Sequence, residues 1–432
     1  MILSYRVLTT FLYPFLILLA YFRKFLKKED PKRFKEKIFT SHFGTAKNSN
    51  FRLVWFHAAS IGEFKSIIPI INQLNHVHKN LKFLVTTSTF SSGKIADLEL
   101  KKFNNVFHRY CPFDVPFLID SFLNSWKPNK IFLVDSEIWP NLILKAKKYG
   151  IPIALINARL TSKSFRKWMI FPNIAKKIFG IFDLFICANI ETKKNFEKLN
   201  LKNIHYKGNL KLIDHIDEEK IMNPNEATLT KRRFWFAAST HKEEDILCIK
   251  THLKLKEKFK DILTIIAPRH TERANRIKIL SEKFNLKTQI LNKDEKIHND
   301  KEVLIINHFG VLQNYFKYAK SVFIGKSTIK KLKEVGGQNP IEAAKLNCKI
   351  YHGPYVYNFS EIYDVFKSKN ISKLVNDHEE LSRNLAIDLE NPYKKNSSTP
   401  ESIKNLGQKT LNDTIRLLGD FLNDDDKTEI LG

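Results

Sequence analysis

A lone carboxylate follows an apolar run early in the chain. Residues 53–56 are apolar, residues 58–62 are mostly small, and Glu63 comes next, ahead of a second apolar run at 67–71. Small residues let the backbone turn tightly and leave room for a ligand. Open parallel sheets bind ligands at the carboxyl ends of their strands, where such a turn would place the Glu63 carboxylate. We therefore predict that Glu63 is a general base.

A second carboxylate, Glu137, has a similar position after the apolar run at 131–134. The carboxyl ends of parallel strands share one edge of a sheet, so Glu63 and Glu137 are expected on the same edge. Two carboxylates there could divide the acid–base and orienting roles of a reaction. Capping of the next helix by Ser136 or Glu137 would explain the same residues equally well.

Two basic residues are placed where they could bind an anion. Arg269 follows the apolar run at 263–267, and a guanidinium at that strand end could pair with a phosphate through two hydrogen bonds. Lys211 lies just before a polar stretch at 214–230. Taken singly, Arg269 is as well explained by a surface ion pair, and Lys211 is better explained by an ordinary surface charge.

Two glycines at 336–337 are followed by residues that open a helix. Asn339 suits the N-cap and Pro340 the first helical position, and the start of a helix offers N–H groups to a phosphate. Glu342 could accept hydrogen bonds from a ribose, although a capped helix without a ligand is the alternative. Residues 325–328 (Gly-Lys-Ser-Thr) do not form a P-loop, because that motif requires a glycine where this chain has Lys320.

These residues need a scaffold, and strand-like and helix-like patterns alternate along most of the chain. This alternation predicts an α/β fold with parallel sheets covered by helices on both faces. We predict two Rossmann-like domains, 29–213 and 231–423, joined by a linker at 214–230 and followed by a tail at 424–432. The predicted strands are 53–57, 83–87, 131–135, 153–157 and 183–188, then 234–238, 263–267, 303–306, 321–324 and 349–351. The predicted helices include 115–126, 140–149 and 402–422.

The N-terminus is unusually apolar. Residues 7–22 are nearly all apolar, which is short for a membrane span but could be lengthened by the first residues. No cleavage site for a signal peptide follows. The basic flank predicts that the rest of the chain is cytoplasmic. We predict a membrane-anchor helix at 1–28, with a buried core helix as the alternative. The basic residues of the flank are Arg23, Lys24, Lys27, Lys28, Lys32, Arg33, Lys35 and Lys37.

The composition favours an anionic partner. The 432 residues carry a formal net charge of +27, although a lysine-rich background composition could account for part of that excess. No arginine-rich arm or aromatic–basic pattern indicates RNA binding, so nucleic acid is disfavoured. The cysteines are far apart, fit no metal-binding spacing and are expected to be reduced thiols. They are Cys111, Cys187, Cys248 and Cys348.

Taken together, these segments resemble the Kdo (3-deoxy-D-manno-octulosonic acid) transferases of Gram-negative envelopes. The resemblance lies in the order and spacing of many short segments after a hydrophobic N-terminus. They are residues 57–63, 135–141, 157–160, 208–211, 238–241, 267–270, 337–342, 353–354 and 358–359.

The resemblance implies a GT-B fold, with two Rossmann-like domains facing a cleft, and inverting transfer of Kdo from CMP-Kdo to the lipid A precursor. No metal and no other cofactor is implied. Glu63 would be the general base, and Glu137 and Lys211 would stabilise the transition state. The positions that match CMP-binding residues are Pro268, Arg269, Phe309, Gly310, Val311, Asn339, Pro340, Ile341 and Glu342.

The implied partners are CMP-Kdo, the lipid A precursor and the anionic lipids of a bacterial inner membrane, with the catalytic domains on its cytoplasmic side. One segment departs from the family pattern, because residues 307–311 lack the acidic residues usual there. Two other functions stay open: a membrane-associated GT-B enzyme with a different nucleotide-sugar donor, and a basic module that binds anionic lipid without catalysis.

Overall fold

The chain forms two compact α/β units in the computed structural model, which describes residues 2–45, 51–214, 216–391 and 399–429, with side chains to Asn423. The first unit contains the chain up to Asp214 together with the residues from Leu406 onward, and the second contains the residues between them. Each unit is built on one seven-stranded sheet in which every described pairing is parallel.

The first sheet has the strand order β3-β2-β1-β4-β5-β6-β7. Its strands are β1 (Arg52–His57), β2 (Leu81–Thr87), β3 (Val106–Tyr110), β4 (Lys130–Val134), β5 (Ile153–Ala158), β6 (Leu184–Cys187) and β7 (Ile204–Tyr206). Alternate residues point to opposite faces, so Trp55 belongs to one buried cluster and Phe56 to the other. Both faces are therefore covered, which explains the continuous apolar runs of the central strands.

Helices cover both faces of this first sheet. They are α1 (Ile2–Phe11), α2 (Tyr13–Phe25), α3 (Ile61–Val77), α4 (Phe90–Glu99), α5 (Pro116–Trp126), α6 (Pro140–Lys148), α7 (Ser162–Trp168), α8 (Pro172–Phe179) and α9 (Ile190–Glu197). A short 3-10 turn, Leu210–Leu212, follows the last strand and carries Lys211. Helices α3 and α4 pack on the Phe56 face, whereas α5, α6 and α8 pack on the Trp55 face.

The second sheet has the order β10-β11-β9-β8-β12-β13-β14. Its strands are β8 (Phe234–Thr240), β9 (Leu263–Pro268), β10 (Thr288–Leu291), β11 (Val303–Ile306), β12 (Ser321–Ile324), β13 (Lys349–His352) and β14 (Ser372–Leu374). The helices of this part of the chain are α10 (Glu226–Lys231), α11 (Glu244–Lys258), α12 (Ala274–Glu282), α13 (Leu312–Phe316), α14 (Ile341–Lys345), α15 (Ser360–Ser368), α16 (His378–Glu390) and α17 (Glu401–Glu429).

All ten predicted strands are present, and the four strands that the sequence did not predict are the four sheet edges, β3, β7, β10 and β14. An edge strand has only one neighbour, so it needs fewer apolar side chains than a central strand. Strand β3 carries His108 and Arg109, and β7 and β14 are three residues long. Their weak hydrophobic pattern follows from that position.

The predicted linker at 214–230 is not a free linker. It contains a 3-10 turn and most of helix α10, and it is tied to the second unit by asparagine side chains. The Asn223 amide donates to the Asn314 carbonyl at 2.9 Å, and the Asn225 amide donates to the Glu295 carbonyl at the same distance. The polar composition therefore reflects hydrogen bonding within a folded segment.

The predicted boundary of the second domain at 423 is wrong, because helix α17 returns to the first unit from Leu406 onward. Leu418 and Leu422 are buried in the core of that unit, and the ring of Phe421 lies 5.7 Å from that of Phe132. The predicted tail at 424–432 begins inside this helix, which continues to Glu429, and residues 430–432 lie outside the described residues.

The predicted single anchor helix is broken into α1 and α2. Pro14 lies in the first turn of α2 and has no N–H to continue the helical bonding, which explains the break. Within the described ranges, no one helix has both the length and the apolar character needed to cross a bilayer. The two together meet that test across a 54° bend.

Candidate functional site

Three neighbouring strands of the first sheet bring the predicted carboxylates to one edge. Strand β1 pairs with β4, and β4 pairs with β5, so the turns after these strands lie side by side. Glu63 lies in the first turn of helix α3 after β1, and Glu137 lies between β4 and α6. The predicted shared edge is present, and Glu63 lies on the first turn of the helix that leaves it.

The carboxylate of Glu63 is held by the start of its own helix. It accepts hydrogen bonds from the Ala59 N–H at 2.8 Å and from the Ser60 hydroxyl at 2.7 Å. Burial raises the pKa of Glu63, and the nearby charges of Asp135 and Glu137 raise it further, while the Ser60 hydrogen bond acts in the opposite direction. A carboxylate with a raised pKa is a stronger base, which suits proton abstraction.

The carboxylate of Glu137 lies between an indole and an imidazole. Trp139 Nε1 donates to Glu137 Oε2 at 2.7 Å, and His57 Nε2 lies 3.5 Å from the same oxygen. On the far side of the fully buried imidazole, His57 Nδ1 lies 2.9 Å from Thr86 Oγ1. Burial lowers the pKa of His57, whereas interactions with Cys111 and Glu137 raise it, and the net shift is upward. Glu137 therefore has a partner for its negative charge.

Lys211 reaches the same edge from the 3-10 turn. Its Nζ lies 3.8 Å from Asp135 Oδ2, and its Cε would be 4.0 Å from a Cβ built on Gly62, next to the candidate base. Asn157, at the end of β5, positions this turn by accepting the Leu210 N–H at 2.9 Å. The edge therefore combines carboxylates with a lysine.

Asp135 and His57 are site residues to which the sequence reasoning gave no role. Asp135 has a left-handed backbone (φ 65°) directly after β4, a conformation that is uncommon outside glycine and recurs at functional sites. Its position within 135–141 was the available signal. His57 had the same kind of signal from its position within 57–63, but a histidine that ends an apolar strand usually belongs to the core.

Basic side chains meet at the carboxyl edge of the second sheet. Arg269 follows β9, and its N–H donates to the Thr240 carbonyl at the end of β8. Burial lowers the pKa of His241 to about 4, helped by the positive charges of Lys326, His270, Arg273 and Arg269. These residues form a cationic cluster, which suits an anion. His241 and Lys326 were not predicted as site residues.

Backbone N–H groups of the loop at 325–328 are hydrogen-bonded to a side chain of the protein itself. The buried carboxylate of Glu244 accepts the backbone N–H groups of Lys326, Ser327 and Thr328 at 2.7, 2.9 and 3.1 Å. It also accepts the His241 N–H at 2.9 Å. A glutamate here takes the place that a phosphate takes in a P-loop, in agreement with the rejection of that motif.

The remaining predicted nucleotide-binding residues lie in two neighbouring segments of the second unit. Gln313, two residues beyond Val311, donates to Glu342 Oε2 at 3.1 Å and so joins the start of α13 to α14. Gly310 has a left-handed backbone (φ 81°), and Phe309 beside it is exposed. Gln338 Nε2 lies 3.3 Å from His241 Nε2, which brings the second segment to the cationic cluster.

The predicted helix start at 339–342 differs in detail. Helix α14 begins at Ile341 and is five residues long, and Asn339 Oδ1 accepts the Ile341 N–H at 3.0 Å. The preceding glycines have a packing role. A Cβ on Gly336 would lie 2.2 Å from the Tyr355 carbonyl oxygen, and one on Gly337 would lie 2.8 Å from Val356 Cα. Glycine is therefore required there even without a phosphate.

The described residues contain no group of three or more His, Cys, Asp or Glu side chains that could hold a metal ion. All four cysteines are buried and free, as expected for reduced thiols.

A family model for 3-deoxy-D-manno-octulosonic-acid transferase (kdotransferase) matches residues 32–213. A probable mitochondrial 3-deoxy-D-manno-octulosonic acid transferase of Arabidopsis thaliana is 30% identical over 348 residues, which are 78% of this chain and 76% of that protein. The 3-deoxy-D-manno-octulosonic acid transferase of Rickettsia bellii is 30% identical over 377 residues, 85% of this chain and 84% of the relative. The chain belongs to this transferase family.

The predicted family and enzyme class, a glycosyltransferase, are thereby confirmed. A solved glycosyltransferase of Rickettsia africae matches 87% of this chain and 100% of its own, with a TM-score of 0.57 and 11% identity. At that identity the match concerns the fold alone, and it confirms the GT-B class of two Rossmann-like units.

Proposed function

We propose that this member of the Kdo transferase family moves Kdo from CMP-Kdo to the lipid A precursor lipid IVA, with inversion and without a metal, in lipopolysaccharide synthesis. The observation that carries the proposal is the placement of Glu63 beside Asp135, Glu137 and Lys211 on one sheet edge. Transfer to a hydroxyl needs a group that removes its proton, and the raised pKa of Glu63 suits that role.

In the proposed reaction, Glu63 removes the proton from a sugar hydroxyl of the acceptor. The hydroxyl oxygen forms a bond to the anomeric carbon of Kdo, while the bond from that carbon to the CMP phosphate breaks. The bonding electrons leave with the phosphate, and the proton stays on Glu63 until solvent removes it. Attack on the face opposite the leaving group inverts the configuration.

The cationic cluster of the second unit suits the leaving group in this proposal. Negative charge grows on the CMP phosphate as its bond to Kdo breaks, and preorganised positive groups stabilise developing charge most effectively. Arg269 can form two hydrogen bonds to phosphate oxygens, and Lys326 and His270 add positive potential around His241. Segments 309–311 and 339–342 would contact the cytidine and the ribose.

Glu137 and Lys211 are proposed to stabilise the transition state. The sugar gains positive character as the leaving group departs, which an ionised Glu137 would stabilise. The contacts of Glu137 with Trp139 and His57 support an oriented carboxylate. Lys211, near Asp135 and Gly62, would act on the oxygens that carry negative charge.

The proposed location is the cytoplasmic face of a bacterial inner membrane, with α1 and α2 as the attachment. Their exposed apolar side chains and the basic residues after them support this location. The apolar side chains of these helices with the largest exposed fractions are Leu3, Val7, Phe11, Phe15, Leu18, Phe22 and Phe25.

The direct test is transfer from CMP-Kdo to a tetra-acylated lipid A precursor in detergent with EDTA, with products identified by mass. A gain of one or more Kdo units would establish the donor, the acceptor and independence of metal. Transfer that EDTA abolishes would contradict the metal-free mechanism.

Donor competition separates the alternatives. CMP should compete with the donor and UDP should not, and Arg269→Ala should weaken donor binding more than it lowers turnover. Competition by UDP would favour another nucleotide-sugar donor. Lipid binding without any nucleotide binding would favour the non-catalytic module.

A further inference from the structure

The turn between α7 and α8 exposes three consecutive apolar side chains, Met169, Ile170 and Phe171. Ile170 is 67% exposed and Phe171 is 48% exposed, although both are large hydrophobic residues. We call residues 169–171 the apolar turn. Scattered exposed hydrophobic residues are common, but a contiguous group on a projecting turn marks an interaction surface.

The helices on either side of the apolar turn are basic and contain no acidic residue. Between Thr161 and Gly180 there is no Asp or Glu, and the charged residues are all positive and all exposed. They are Lys163, Arg166, Lys167, Lys176 and Lys177. An apolar tip between positive charges matches the surface of an anionic bilayer, whose interior is apolar and whose headgroups are negative.

Topology places the apolar turn at the carboxyl edge of the first sheet, the edge that carries Glu63. Helix α8 leads from that edge back to the start of β6, since β6 runs parallel to β5. The first residues of α8 are therefore at the carboxyl end of the strands. Ala175, Ile178 and Phe179 of α8 are buried against the Trp55 face, which leaves the turn projecting beyond the core.

Helices α1 and α2 lie on the same side of the same edge. The Tyr5 hydroxyl donates to Asp114 Oδ2 at 2.9 Å, and the Asn141 amide donates to Thr9 Oγ1 at 3.1 Å. Asp114 and Asn141 follow the carboxyl ends of β3 and β4. The ring of Tyr13 packs 4.8 Å from that of Phe117 on α5. Tyr13 also packs against the buried hydrophobic cluster on the Trp55 face, to which α8 contributes. These contacts hold the apolar helices along the unit.

We propose that the apolar turn is a second membrane contact, inserting into the headgroup region of an anionic bilayer alongside α1 and α2. Two contacts on one unit fix its orientation, which a single attachment does not. The bilayer then meets the sheet edge that carries Glu63. The inference rests on the surface alone and does not depend on the proposed reaction.

The test places a fluorescent label at residue 170 of the full chain. The four native cysteines are buried, so Ile170→Cys can be labelled selectively with an environment-sensitive dye. The control is Ile387→Cys in α16 of the second unit, which is 68% exposed against 67% for Ile170. Both labelled proteins are mixed with vesicles of phosphatidylethanolamine and phosphatidylglycerol. We expect the emission of the label at residue 170 to shift to the blue and to be quenched by lipids that are brominated near the headgroup. The label at residue 387 should show neither change.

Substitution gives a second readout. Ile170→Ser combined with Phe171→Ser should lower binding to these vesicles about tenfold, because apolar contact area is lost. Ile387→Ser should leave binding unchanged, and both proteins should keep the wild-type melting temperature. A label at 170 that stays as exposed to water as the label at 387, or a chain that binds no vesicles, would overturn the proposal. Equal binding to vesicles of phosphatidylcholine alone would contradict the proposed attraction between the basic residues beside the apolar turn and anionic headgroups.

Discussion

Ser60 and Glu63 form a reciprocal pair at the start of helix α3. The Ser60 hydroxyl donates to Glu63 Oε1 at 2.7 Å, and the Glu63 N–H donates to Ser60 Oγ at 3.3 Å. This capping box fixes the carboxylate relative to the helix, so the candidate base is positioned before any substrate binds. It also gives Glu63 a structural role, which tests of catalysis must separate from the chemical one.

Glu63→Gln separates the two roles, because glutamine can occupy the same position of a capping box but cannot accept a proton. We expect an unchanged melting temperature and a turnover number lowered at least about 100-fold. Ser60→Ala is the matched control. It should lower stability by about 1 kcal/mol and retain most of the turnover, because the carboxylate is still present. Near-normal turnover of Glu63→Gln would refute the base assignment.

Asp135→Asn should move the pH profile of the enzyme. Burial raises the pKa of Glu63, and the negative charge of Asp135 raises it further, so neutralising Asp135 should lower that pKa. The base acts in its ionised form, and the acidic limb of kcat/KM against pH should therefore shift to lower pH. Asp120→Asn on α5 is the control, since Asp120 is not among the groups that raise the pKa of Glu63. An acidic limb that stays in place, or moves upward, would contradict the role of Glu63.

Glu244→Gln should destabilise the second unit. Its carboxylate accepts four backbone N–H groups, from His241, Lys326, Ser327 and Thr328. Glutamine would turn an NH2 group toward some of these donors and leave buried N–H groups unpaired, at a cost of about 1–3 kcal/mol. Urea denaturation measures the loss. Glu243→Gln, next to it and exposed, should be neutral, and equal stability of both variants would count against the contact.

Nucleotide binding should make His241 take up a proton. Burial and four neighbouring positive groups hold the pKa of His241 at about 4, so the ring is neutral at pH 6. A bound phosphate would offset those positive charges and raise the pKa. Calorimetry of CMP binding at pH 6 in buffers of different ionisation enthalpy should show more proton uptake in the wild type than in His241→Gln. Identical uptake would place the phosphate away from this cluster.

The central strands and the edge they share could be predicted from the sequence, because full burial demands continuous apolar runs. Strand β11 matches its predicted bounds, residues 303–306. The sheet edges could not be predicted in the same way, since one unpaired side relaxes that demand. The folded part of 214–230 was missed because its asparagines bond to distant backbone groups, which leave no local pattern.

Only part of the candidate site could be predicted from the sequence, for a related reason. Glu63 and Glu137 follow apolar strands, so their shared edge could be inferred from local patterns. The residues around these carboxylates come partly from elsewhere in the chain. Thr86 on β2 contacts His57, and Lys211 is brought beside Asp135 by a turn that Asn157 holds. Such contacts depend on strand order, which the sequence alone did not specify.

The return of helix α17 to the first unit has a consequence for biosynthesis. Leu418, Phe421 and Leu422 complete a core whose other members include Phe56 and Phe132. A ribosome makes these two groups of residues hundreds of positions apart, with the whole second unit between them. The part of the Phe56 face that α17 covers must therefore stay exposed in the first unit until the second unit has been made. Synthesis of the first unit thus begins before that of the second unit, but the first unit can complete its core only after the second unit has been made.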